Sequence, residues 1–457
     1  MKVRLIFAAM LVLALVLGGL RYGLAAWGVI TSRISLTALG QEVNGNSTAA
    51  VFSSNGRFVT YTSHATDLVA GDTNSSADVF VVDLDTHAVC LASQTSDGTI
   101  GNTTSNGVSV LSADGRYVAY ASLATNLLPV PFDTNGYYDV YLHDCQTGAT
   151  ERISEGEGHT QGNNASGSPS ISADGRYVAF DSYSNNFANG DVNGTWDIFV
   201  RDRQTLHTYI VSMSTNGLIG NSYSSRPAIS ANGNRVAFFS SATNLVTDDT
   251  NNAPDLFVRD REAGTTIRAS VRSDGFQANN GIGTQWTPWI SDDGNLVVFY
   301  SSSTNLVDND TNVKDDIFVK NLTTGAVIRA SVDSSGVQAN GHSNHPVISP
   351  DGRYVAFESL ATNLVANDAN GKRDIFVHDL QTHETFLASA RSDGVQGNAD
   401  SFWPAVVAAG GVLKVAYDTA STNLVTDDTN GKSDVFLSLP GPAQDKKSFL
   451  PVVVKAP

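Results

Sequence analysis

The sequence predicts an all-β fold, a seven-bladed β-propeller of four-stranded antiparallel blades, and three observations predict it. A strand, turn and strand unit recurs seven times, as SSNGRFVTY, SADGRYVAY, SADGRYVAF, SANGNRVAF, SDDGNLVVF, SPDGRYVAF and a degraded AAGGVLKVAY. Its turn glycines, Gly56, Gly115, Gly175, Gly233, Gly294, Gly352 and Gly411, stand 59, 60, 58, 61, 58 and 59 residues apart. So long and regular a period marks supersecondary units that bury their apolar faces only against one another. Finally, the last copy stops after a third strand, while the segment 33–47, RISLTALGQEVNGNS, has no blade before it. It matches the fourth-strand-plus-loop segments RISEGEGHTQGNNAS (152–166) and RASVDSSGVQANGHS (329–343).

The sixth copy shows the whole unit. HPVIS (345–349) is a first strand, Asp351 and Gly352 turn it, and RYVAFES (353–359) alternates as a second. DIFVHD (374–379) is a third strand and ETFLAS (384–389) a fourth. These runs are short, β-branched and aromatic, with Gly, Asn, Asp and Ser between them, which is the signature of strands and hairpins. Four such strands make a propeller blade. No stretch after residue 30 combines helical periodicity with caps, which excludes an α/β chain. The last blade is expected to be completed by residues 33–36 lying beside 434–439, so that the two ends lock the ring and leave no long edge strand. The chain then divides into a leader (1–30), a single propeller domain (31–440) and a Pro-rich linker with a short apolar tail (441–457).

SADGRYVAF and SPDGRYVAF resemble the PD40 (WD40-like) repeat of the TolB-like propellers, and the resemblance covers all seven copies. It implies an exported protein. It leaves function open, because such propellers serve as interaction platforms, as parts of peptidases and as lyases. Two features depart from TolB itself: seven blades instead of six with an added α/β domain, and a long insertion between strands two and three. The Asp-box of sialidases also has a Gly turn but wants a Trp, where Phe or Tyr stands here.

Lys2 and Arg4, an apolar run from Leu5 to Leu20, and small residues at Ala25 and Ala26 read as an export signal, or as an anchor if uncleaved. The run is shorter than the roughly 20 residues of a spanning helix, which favours cleavage and an extracellular or cell-envelope location. A net charge of -17 excludes nucleic acid as a partner. A monomer is expected, touching a membrane only through an uncleaved leader. Cys90 falls in the fourth strand of blade one and Cys145 just past the third strand of blade two. Export would allow a disulfide between them and adjacent blades make one possible, but an outer strand and a neighbouring blade's turn need not reach the Cα separation of about 5.5 Å that it needs, so the pairing stays open.

The insertion between strands two and three reads DTNSSAD, DTNGYYD, DVNGTWD, DTNNAPD, DTNVKDD, DANGKRD and DTNGKSD. Its fixed positions are Asp72, Asn74 and Asp78; Asp133, Asn135 and Asp139; Asp191, Asn193 and Asp197; Asp249, Asn251 and Asp255; Asp310, Asn312 and Asp316; Asp368, Asn370 and Asp374; Asp428, Asn430 and Asp434. A further Asn stands five residues ahead in several copies, as in Asn244, Asn305, Asn363 and Asn423. Two readings fit. Alternating oxygen donors followed by a carboxylate suit a hard cation such as Ca²⁺. The same residues also cap their own backbone in Asx-turns, and a repeated blade repeats its turns.

A second ladder pairs Gly40 with Asn44, Gly98 with Asn102, Gly217 with Asn221, Gly275 with Asn279, Gly336 with Asn340 and Gly394 with Asn398. It reads as scaffold fixing the blade angle. Ligand binding is expected where the copies differ, and the position before the Pro of each first strand differs most: Ala49, Val108, Ser168, Arg226, Thr287, His345 and Trp403. Arg226, Gln285, Trp286, Trp289, His345, Phe402 and Trp403 combine stacking faces, a cation and donors, the inventory of a sugar or peptide site. The bland alternative is ring filling between blades. No GxSxG or HExxH motif appears, and no repeat-breaking set of carboxylates or histidines is evident around the channel, so no catalytic residue is assigned. The sequence therefore reads as an exported scaffold for a protein or other macromolecular ligand, with Ca²⁺ as a stabilising ion on the cation reading. The second reading is a carbohydrate-active protein, a lectin or a polysaccharide lyase.

Overall fold

The computed structural model describes residues 27–129, 133–188 and 190–442. Of the expected leader (1–30) residues 1–26, and of the expected linker and tail (441–457) residues 443–457, lie outside the described residues. The described strands form seven four-stranded antiparallel sheets, a β-propeller with almost no helix. Blade one has strands Ser47–Phe52, Phe58–Ser63, Asp78–Asp83 and Val89–Leu91, hydrogen-bonded in that order from the channel outwards. Blade six repeats it with Ser343–Ile348, Tyr354–Ser359, Asp374–Asp379 and Thr385–Leu387. No helix among the described residues is long and apolar enough to cross a membrane.

Each repeat folds locally for the same reasons. In the first hairpin Gly56 N–H donates to Ser53 O (2.8 Å), and Asn55 Oδ1 accepts from Arg57 N–H (2.9 Å). The turn glycines need positive φ, and at Gly115 (φ +75°) there is a second demand. A Cβ there would meet the Phe58 ring at 2.2 Å, because this hairpin seats on the start of the second strand of blade one. Alternation then turns residues such as Val59 and Tyr61 into the sheet-to-sheet core, both fully buried. An aromatic pair across strands two and three recurs in every blade, from Tyr61 with Phe80 to Tyr417 with Phe436, with centroids 5.8 to 6.2 Å apart. Those rings fill the wedge between blades.

Ring closure differs in register from the expectation. The strand from the chain's beginning is Trp27–Arg33, paired from Trp27 opposite Pro442 to Arg33 opposite Phe436, and not 33–36. The reason lies in the repeat: Arg152, Arg268 and Arg329 each end a fourth strand, so their counterpart Arg33 is a last residue and not a first. Ile34 and Ser35 already belong to the exit, with Ile34 N–H on Val435 O (2.9 Å). The cysteines, whose pairing the sequence leaves open, form a disulfide with Cα atoms 6.1 Å apart. Blade two turns its outer corner onto blade one, where Thr150 N–H meets Ser96 Oγ (2.9 Å). That docking carries Cys145 over Cys90.

Candidate binding site at the channel mouth

The first strand of most blades is interrupted by a bulge. Register slips between Thr48 and Val51, Gly167 and Ser170, Ser225 and Ala228, Asn344 and Val347, and Phe402 and Ala405. The residue before each Pro (or its equivalent) takes left-handed φ: Ala49 58°, Ser168 46°, Arg226 56°, His345 50° and Trp403 53°. A β-bulge re-aims side chains, and here it throws the variable residues over the channel. The strain is held by acids at the penultimate position of strand two. Asp181 Oδ2 accepts from Arg226 N–H (2.9 Å), Glu358 Oε1 from Trp403 N–H (3.0 Å), and Asp418 Oδ1 from Ala49 N–H (3.2 Å). Each acid therefore caps the bulge of the following blade. Burial pushes the Asp181 and Asp418 carboxyls up from the usual range.

These acids correct the sequence reading, which found no repeat-breaking carboxylates near the channel. The signal was present in the column Thr62, Ala121, Asp181, Phe239, Tyr300, Glu358 and Asp418, a strand-two position that changes from blade to blade. They remain committed to backbone amides, to Arg373 (3.3 Å from Glu358 Oε2) and to His345, whose Nδ1 is 2.9 Å from Glu358 Oε1.

Blade five lacks the regular bulge, and Tyr300 stands in that column. A Cβ on Gly283 would lie 1.8 Å from its ring, and its hydroxyl accepts from Gln285 N–H (3.2 Å). The first strand of this blade forms only at Trp289–Ile290. The loop so formed lays Trp286 on His345, centroids 4.3 Å apart and planes within 8°. Trp403 stands edge-on to both, at 5.0 Å from Trp286 and 4.7 Å from His345. Below lies a cavity of about 770 Å³, lined by Arg226, Trp289, His345 and Trp403 with Tyr138 and Trp196 opposite. Of the seven residues singled out in the sequence, four line this cavity and Trp286 joins through stacking. Gln285 is exposed, and Phe402 packs under the Arg373 guanidinium (5.2 Å).

The Asp, Asn, Asp loops sit on the rim as seven Asx-turns. In each, the Asn Oδ1 accepts the backbone N–H two residues on, as from Ser76 to Asn74 (2.7 Å) and Thr195 to Asn193 (3.1 Å). Its amide donates to a carbonyl of the exit loop, such as Gly101 or Gly220 (both 2.9 Å). The last Asp is fully buried in all seven copies and accepts from a Ser just past strand four, as Asp197 does from Ser212 (2.6 Å). Burial lifts Asp78, Asp139, Asp197 and Asp374 to about 6. Asn244, Asn305, Asn363 and Asn423 are engaged elsewhere, each accepting the N–H of the second ladder's Asn, as from Asn221 to Asn244 (2.9 Å).

No family model matches this sequence, and no curated protein matches it. Among solved structures, an oligogalacturonate lyase in complex with manganese is 11% identical, with a TM-score of 0.53 over 90% of this chain and 93% of that one. An oligogalacturonate lyase from Vibrio parahaemolyticus is 10% identical, with a TM-score of 0.50 over 91% and 92%. TolB from Acinetobacter baumannii is 12% identical, with a TM-score of 0.37 over 80% and 77%. The likeness is one of fold: the chain is a seven-bladed propeller.

Proposed function

We propose that this protein is an exported binding scaffold that takes a glycan at the channel mouth, by stacking on the Trp286, His345 and Trp403 cluster. The observation that carries this reading is the cavity of about 770 Å³ walled by planar rings, with Arg226 as its cation. Concave sites of that size with few polar groups are the usual form of a ligand pocket. Two independent stacking directions suit the apolar faces of a sugar ring, and Trp is the preferred residue for such contacts. The reading is one of binding without turnover. Asp181, Glu358 and Asp418 each accept an amide of a bulge, which gives them a structural role in holding the site.

The test is depletion of the purified protein on a panel of insoluble polysaccharides, with Trp403→Ala beside the wild type. Retention that falls at least tenfold in the variant supports the site. Absence of retention on every polysaccharide points to a protein ligand on the same face.

A further inference from the structure

The first Asp of each rim loop is where the seven blades differ. In blades two, four, five and seven the residue ending strand four is Arg152, Arg268, Arg329 and Arg33. Its guanidinium lies over the loop carboxylates, 3.5 and 3.8 Å from Asp249 and Asp255 in blade four, and 3.3 and 3.4 Å from Asp310 and Asp316 in blade five. Blade six has no arginine there, but Gln396 Nε2 donates to Asp368 (3.3 Å). In blades one and three both donors are gone. Aliphatic residues replace the arginine (Leu91, Ile210) and the glutamine (Ile100, Ile219).

The carboxylates nevertheless remain. Asp72 and Asp191 are each 7% exposed, and Asp78 and Asp197 are fully buried. Asp191 Oδ1 is buried with no hydrogen-bond partner, beside a second carboxylate, and no ion pair reaches either residue among the described ones. Two carboxylates out of water with nothing positive near them are unfavourable, and four sister blades show a positive group in that place. We propose that blades one and three each bind a divalent cation of the Ca²⁺ type, between Asp72 and Asp78 and between Asp191 and Asp197, where other blades carry their own guanidinium. Oxygen-rich turns with two carboxylates suit a hard ion that completes its shell with backbone carbonyls and water. The other five blades supply their own donor and hold no ion.

The blade-three site carries its own reporter, because Trp196 directly precedes Asp197 and can sensitise Tb³⁺ luminescence. The full chain is dialysed against Ca²⁺, its bound metal counted, and Tb³⁺ emission excited through tryptophan is titrated with Ca²⁺. Two ions per chain are expected, with half-saturation on the order of 10⁻⁴ to 10⁻³ M, the range of extracellular modules. Asp191→Asn should lose one ion and the sensitised emission. Ile210→Arg with Ile219→Gln rebuilds the arrangement of the sister blades. It should also lose one ion, while melting in chelator at or above the temperature of the wild type. An absence of bound Ca²⁺ at millimolar concentration overturns the proposal. So does an ion count, or a Tb³⁺ signal, that neither variant changes.

Discussion

His143 and His378 hold equivalent places on the third strands of blades two and six, each with Nδ1 2.8 Å from a threonine hydroxyl, Thr150 or Thr385. Those hydroxyls donate onward to carbonyls of the preceding blade, Gln94 and Val332 (both 2.5 Å), so each Thr oxygen accepts from a neutral imidazole protonated at Nδ1. Burial pushes both imidazoles down to about 4. The unfolded chain takes up these protons near 6.5 and the folded chain resists them, so this contribution is full above about 6.5 and is lost as pH falls towards 4. Asp139 and Asp374 in the same blades, lifted to about 6, act in the opposite sense: their contribution is full below about 3.8 and declines as pH rises through 6. Replacing both histidines by Gln keeps a donor for each Thr and removes only the first slope. The variant should gain on the order of 1 to 3 kcal/mol per site relative to wild type between pH 7.5 and 4.5. Chemical denaturation at the two pH values reads this, and equal differences at both would refute it.

At the scale of elements, the disulfide ties the fourth strand of blade one to the corner after the third strand of blade two, across a separation of 55 residues. Constraint of the unfolded chain is worth about 2 to 4 kcal/mol for such a loop. Cys90→Ser with Cys145→Ser should therefore melt earlier, and reductant should bring the wild type down to meet it in a thermal scan. A wild type unmoved by reductant would contradict this. Strands were the legible elements, because alternation and the Asp-Gly turns are local and a seven-fold repeat states them seven times. The cavity was legible only in part. Arg226, His345 and Trp403 stood out as variable residues before a Pro or in its place. The bulge that aims them depends on Asp181, Glu358 and Asp418, which lie in sequence up to 45 residues from the amides they cap, or 369 for Ala49. Likewise the stacking of Trp286 on His345 depends on the irregular path of the chain between Gly283 and Trp289, which no periodicity records. Strand pairing between Arg33 and Phe436 was anticipated one strand length too late, since the match was aligned from the arginine instead of up to it.

For the whole molecule, stability rests on seven similar interfaces and one closure. The outer strand Trp27–Arg33 brings seven paired positions to blade seven, and Arg33 reaches Glu42 (2.5 Å) and Asp434 (3.7 Å). Removing residues up to 33 exposes the Asp434–Pro442 edge and strips the rim carboxylates of their cation. The truncated chain should melt well below the disulfide-free variant and associate through the bare edge, as size exclusion would show. A truncated monomer with the melting temperature of the intact chain would show that closure contributes little.

Because blade seven takes one strand from residues 27–33 and three from 401–442, it is, among the described residues, the sheet whose parts are made furthest apart in synthesis. A nascent polypeptide can build blades one to six as they emerge, yet the strand Trp27–Arg33 must wait, unmatched, until Asp434–Pro442 arrives. Every prematurely terminated product is thus an open arc with two sticky flanks, conspicuous to proteases and chaperones. Only a finished chain silences both flanks in one step, so the architecture proofreads its own completeness.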